Sequence, residues 1–93
     1  MISEGQTKGT VRFALRPSNS KVKSVLLAGD FNGWKPVAMR KQKDGLFAVT
    51  LPLKKGTYEY KFLVDGCWEI DRDNACWSPN AYGTMNSVAQ VAS

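Results

Sequence analysis

The feature that most limits how this chain can fold is the rhythm of its turns. Pairs ending in glycine recur at Asn32-Gly33, Asp44-Gly45, Lys55-Gly56, Asp65-Gly66 and Tyr82-Gly83. Between them the apolar residues alternate singly. "TVRFALR" sets Val11, Phe13 and Leu15 on one face and Arg12, Ala14 and Arg16 on the other. "LFAVTLPL" alternates through Phe47, Val49, Leu51 and Leu53, and "TYEYKFLV" through Tyr58, Tyr60, Phe62 and Val64. "VKSVLLAG", a short "WEID" and a closing "NSVAQV" complete the strand set. A period of two is the strand signature, and no window carries a helical period. Short alternating strands with turns at this spacing predict an all-β sandwich or barrel.

With 93 residues the chain has material for one domain with a modest core. Residues 9–93 are read as that domain and residues 1–8 as a flexible tail. Residues 71–84, "DRDNACWSPNAYGT", read as a long loop containing Pro79, and ordered loops of this length are often functional.

One hairpin can be built in detail. Asp65 and Gly66 both tolerate positive φ, so "VDGC" predicts a two-residue type I′ turn. Val64 then faces Cys67, Leu63 faces Trp68, and Lys61 faces Ile70. Facing residues share a side of the sheet. Lys61, Leu63 and Trp68 therefore lie together, opposite the Tyr58, Tyr60 and Phe62 row that reads as core. The same register sends Glu69 and Asp71 to the aromatic side, where an edge position or a bulge is expected to let them reach water.

The chemistry on offer is narrow. The chain has no histidine, so a Ser-His-Asp triad is excluded. Cys67 and Cys76 form no Cys-x-x-Cys pair, and without histidine they give no adequate zinc ligand set. In a reducing compartment they are free thiols; a disulfide between them is the alternative and implies an oxidising one. Glu69, Asp71 and Asp73 are carboxylates without a deep cleft to flank, which reads as a solvated acidic edge. No phosphate-binding glycine loop is present. Neither an enzymatic activity nor a cofactor is expected. No apolar run reaches the length of a membrane span, and "MISEGQTKGT" has no apolar leader core. A cytoplasmic setting is the resulting expectation, with no membrane partner. The net charge of +5 reads as a solvated basic surface; no nucleic-acid partner is expected from it.

The tryptophans carry the functional signal. Trp34 follows Asn32-Gly33 and Trp68 follows Asp65-Gly66, while Trp77 lies in the long loop. A tryptophan more often joins or covers a core. The strands beside Trp34 and Trp68 already supply a core row, however, so a pair of outward indoles is the sharper reading. A flat indole suits the apolar C–H face of a pyranose, with polar groups around it to set orientation. Lys61 and Asn86 are the candidates for those groups. Trp77 either extends such a platform or plugs the end of the sandwich.

"GDFNGW", "YEYKFLVDGCWEID" and "YGTMNSV", in this order and spacing, resemble the glycogen- and starch-binding carbohydrate-binding modules of family 48. The pattern is similar to the glycogen-binding domain of the AMP-activated protein kinase β subunit. Modules of this type also precede the barrel of branching and debranching enzymes. The resemblance spans about residues 10–91. It implies an immunoglobulin-like (early set) β-sandwich and non-catalytic binding of α-1,4-linked glucan. Carried over by motif, the sugar contacts are Trp34, Lys61, Trp68, Thr84 and Asn86. Tyr82 stands where the kinase subunit has a leucine that enters the glucan helix. A kinase complex or a glucan-processing enzyme is the implied larger partner. A scaffold module that keeps the fold without the sugar site is the competing reading.

Overall fold

The computed structural model describes residues 2–4, 9–17, 21–72, 74, 76–80 and 83–91. Among these residues ten strands form two antiparallel sheets packed as an immunoglobulin-like sandwich. The first sheet runs in the order β1 (Ile2–Glu4), β2 (Thr10–Leu15), β6 (Phe47–Pro52), β5 (Arg40–Lys41). The second runs β4 (Val37–Ala38), β3 (Val25–Gly29), β7 (Gly56–Val64), β10 (Met85–Val91), β9 (Trp77–Pro79), with β8 (Cys67–Glu69) also on β7. Ile2–Glu4, within the stretch expected to be a tail, pairs with β2 from Ile2↔Phe13 to Glu4↔Val11.

The alternation seen in the sequence becomes the two inner faces. Val11, Phe13 and Leu15 of β2 meet Val25 and Leu27 of β3 and Tyr60, Phe62 and Val64 of β7 in one buried cluster. The ring of Phe13 spans the sheets, edge-on to Tyr60 at 5.0 Å between centroids. Burying each of these large side chains contributes about 1.5–3 kcal/mol. Arg12 and Arg16 leave the core as expected, but Ala14 is buried with Leu46 and Ala48 in a small separate cluster on the outer side of the first sheet. Between β4 and β5 the chain changes sheets at Met39, which is buried and whose N–H donates to the Val25 carbonyl.

β7 organises the second sheet. One of its edges pairs with β3 over Tyr60–Val64, from Val25↔Val64 to Gly29↔Tyr60. The other edge is shared: Gly56–Tyr60 pairs with β10 and Phe62–Val64 with β8. Lys61 falls at the seam between those two partners. The Asp71 N–H donates to Ser87 Oγ at 2.7 Å and ties the two neighbours together there.

Candidate functional site

The predicted hairpin is present. Asp65 (φ 47°) and Gly66 (φ 87°) are both left-handed, and the pairs Val64↔Cys67 and Leu63↔Trp68 form as expected. The Asp65 carboxylate also accepts from the N–H groups of Lys23 and Ser24, at 3.1 and 2.9 Å, fastening the turn to the start of β3. Strand alternation then puts Glu59, Lys61 and Leu63 on the outer face of the sheet. Trp68, opposite Leu63, shares that face, and so does Asn86, which lies on the same side as Val88 opposite Glu59.

Trp34 arrives from the loop after β3. A short 3-10 turn, Asp30–Asn32, sends Phe31 inward, where its ring tilts against Phe13 at 5.2 Å. The chain then passes through two consecutive left-handed residues, Gly33 (φ 65°) and Trp34 (φ 62°). The turn pair is therefore Gly33-Trp34 rather than Asn32-Gly33. Asn32 instead caps the turn, its Oδ1 accepting from the Gly29 N–H at 3.1 Å. A left-handed tryptophan is disfavoured by about 1–2 kcal/mol. Two bonds hold it: its N–H donates to the Gly29 carbonyl at 3.0 Å, and its indole Nε1 donates to Asp30 Oδ1 at 2.9 Å. The other Asp30 oxygen accepts from the Glu59 N–H at 2.9 Å, so one carboxylate joins the indole to β7.

The two indoles meet. Their ring centroids are 6.5 Å apart, and their planes are inclined by 63°. Trp68 is 49% exposed and Trp34 is half-buried. The two rings are neighbours, and they form a corner rather than the flat platform expected from the sequence.

The polar groups form a connected rim. Lys61 Nζ donates to Thr84 Oγ1 at 3.0 Å. Asn80 Nδ2 donates to that same hydroxyl at 2.7 Å and to Asn86 Oδ1 at 2.9 Å. Asn86 Nδ2 donates to Glu59 Oε1 at 3.1 Å. Trp34, Asp30, Glu59, Asn86, Asn80, Thr84 and Lys61 are therefore consecutive members of one network. Sequence reasoning missed Asp30, Glu59 and Asn80. Asp30 had a signal, standing four residues before Trp34 in a turn, and so did Asn80, four residues before Thr84. Tyr82 lies outside the described residues.

Three other expectations are resolved. Trp77 faces Ser87, which faces Tyr60, so it lies on the opposite side of the sheet from Trp68 and does not extend the indole pair. It is 49% exposed, and its Nε1 donates to the Asn74 carbonyl at 2.8 Å. Asp71 does not reach water: it is fully buried and accepts from the Tyr60 hydroxyl at 2.7 Å. It is retained because the Tyr60 hydroxyl donates to its carboxylate while Ser87 Oγ accepts from its backbone N–H, partners that a residue at a plain edge lacks. Glu69 is half-buried, 3.9 Å from Arg72. Cys67 and Cys76 are both exposed free thiols.

Among the described residues no cluster of His, Cys, Asp and Glu could hold a metal ion, and no helix is long and apolar enough to cross a membrane. A depression of about 540 Å³ on the first sheet, lined by Arg12, Arg40, Gln42 and Thr50 among others, contains none of the candidate residues. What the arrangement offers is an open apolar corner with a hydrogen-bonding rim.

Comparison with known proteins identifies the family of the chain. Residues 17–93 match the family described as the glycogen recognition site of AMP-activated protein kinase. The chain is 36% identical over 69 residues to the 5'-AMP-activated protein kinase subunit beta-1 of Sus scrofa, covering 74% of this chain and 55% of that one. It is 48% identical over 48 residues to protein PTST homolog 2, chloroplastic, of Arabidopsis thaliana, covering 50% of this chain and 9% of the relative. It therefore spans little more than half of the one relative and under a tenth of the other. A maltogenic amylase from S. marinus carries the same fold, with a TM-score of 0.75 and 26% identity over 90% of this chain and 14% of the amylase.

Proposed function

Because this chain belongs to the family of the glycogen recognition site of AMP-activated protein kinase, we propose that it is a non-catalytic module that binds α-1,4-linked glucan at the Trp34–Trp68 corner. One observation carries the reading: two indoles 6.5 Å apart and inclined by 63°, beside a rim of Lys61, Thr84 and Asn86. Glucose rings stack on the indole faces through their C–H sides. The rim donates to ring and hydroxyl oxygens and sets orientation. Inclined faces suit a chain that turns from one sugar to the next, as an α-1,4-glucan does. They do not suit the flat ribbon of a β-1,4-glucan. Tyr82, in the position of the family's inserted leucine, is proposed as a further contact.

The surface is shallow, so affinity is expected between about micromolar and millimolar. Isothermal titration with maltoheptaose and β-cyclodextrin, against cellohexaose as control, tests it. The expected result is binding to the two α-glucans only. The heat signal should also hardly change between low and high salt, whereas a nucleic-acid ligand would be released. A folded protein that ignores millimolar maltoheptaose overturns the proposal.

The relatives that are kinase subunits favour a second element, that the module serves inside a larger assembly. A scaffold role without sugar predicts that partner binding survives Trp34→Ala and Trp68→Ala together while no glucan is bound by the native chain.

A further inference from the structure

The Asn80 side chain spends its hydrogen-bonding capacity inward. Its Oδ1 accepts from the Thr84 backbone N–H at 3.2 Å, which can only donate, so the orientation of the amide is fixed by its neighbours. Its two Nδ2 protons go to Thr84 Oγ1 and Asn86 Oδ1. Thr84 Oγ1 thus receives two donors, Asn80 Nδ2 and Lys61 Nζ. A hydroxyl has two acceptor positions and one proton. With both acceptor positions filled, the Thr84 proton has to point elsewhere. Thr84 is exposed, so that proton is available to whatever occupies the rim. Lys61 retains two further N–H donors, and Asn86 one beyond its bond to Glu59.

We infer that Asn80 is a positioning residue that fixes the polarity of this rim, so that Thr84, Lys61 and Asn86 all face the ligand as donors. The inference rests on the glucan-binding reading of the site and names its specificity: sugar oxygens are selected as acceptors, and Asn80 acts only through its neighbours. The base of the loop is closed by the same residue, since the Asn80 N–H donates to the Thr84 carbonyl at 2.8 Å. That bond belongs to the backbone and survives a side-chain change.

Asn80→Asp keeps the shape, removes both donors and sets a carboxylate oxygen against Asn86 Oδ1, so that the Asn86 amide has to turn as well. The carboxylate then takes the Thr84 proton, and the hydroxyl meets the sugar as an acceptor. Titration with maltoheptaose is expected to show affinity falling about three- to tenfold, the range for one hydrogen bond, with thermal unfolding little changed. Thr84→Val should weaken binding similarly. The decisive measurement is the double variant Asn80→Asp with Thr84→Val. If Asn80 acts through the Thr84 proton, the second change adds little to the first; a residue that merely shapes the loop gives additive losses. Additive losses, or native affinity in Asn80→Asp, overturn the inference while native glucan binding stands. If Asn80→Asp does not fold, Thr84→Val still decides: native affinity in that variant overturns the inference. A native protein that binds no glucan overturns the underlying reading and this inference with it.

Discussion

Trp34 occupies a backbone conformation that a tryptophan adopts only under constraint. Strain of this kind persists where surrounding contacts over-determine it, and it gathers at binding sites. Here the constraints can be named: Phe31 anchored in the core, Asn32 capping Gly29, and Asp30 gripping the indole. Trp68 needs no such device, because a strand position opposite Leu63 already turns it outward. The two residues should therefore answer differently to truncation. Trp68→Ala is expected to abolish measurable titration with β-cyclodextrin while shifting stability by less than about 1 kcal/mol, as for other surface changes. Cooperative unfolding of that variant at room temperature would instead make Trp68 part of the core.

At the scale of elements, Gly29 is the joint between the core sheet and the Trp34 turn. Its φ of −175° suits any residue, so conformational freedom is not what it supplies. Space is: a Cβ there would lie 2.6 Å from the Glu59 carbonyl oxygen and 2.7 Å from the Phe31 ring. Gly29→Ala is expected to cost about 1–3 kcal/mol by overpacking, read from a urea midpoint. It should also weaken glucan binding, since Gly29 holds both Trp34 and Asn32. An unchanged midpoint would mean that the turn yields freely. The long strands were legible in the sequence because each carries its own alternation, and the type I′ hairpin because Asp65-Gly66 leaves little choice of turn. β4, β5 and β9 were not, because two or three residues paired at an edge take their state from the partner strand. The meeting of Trp34 with Trp68 was equally illegible, since no turn or register links a loop after β3 to a strand after β7. The burial of Asp71 was missed for a related reason: its partners Tyr60 and Ser87 come from two other strands.

For the whole molecule, stability at alkaline pH is linked to Tyr60. Burial pushes its hydroxyl well above the ordinary phenol range; the bond from Asn74 opposes this, and the neighbouring Asp71 adds to it. Below about pH 10 both folded and unfolded chains hold that proton, and the contribution is complete. Above it the unfolded chain releases the proton while the folded one keeps it. The unfolded state then binds fewer protons, and stability falls as pH rises. Tyr60→Phe should be less stable at pH 7 by about 1–3 kcal/mol, because Asp71 loses a buried donor. Its deficit against the native chain should narrow as urea midpoints are followed past pH 10. A constant gap would show that the hydroxyl proton is not retained in the fold.

The inclined indoles have one more consequence. Two indoles whose centroids lie 6.5 Å apart and whose planes are inclined by 63° are close enough for their transition dipoles to couple. They must share their excitations, and a coupled pair of this kind writes a two-signed band into the circular dichroism of the indole region. Its shape depends on the angle between the rings. The corner therefore carries its own optical gauge, one that reads the relative pose of Trp34 and Trp68 in solution without any label.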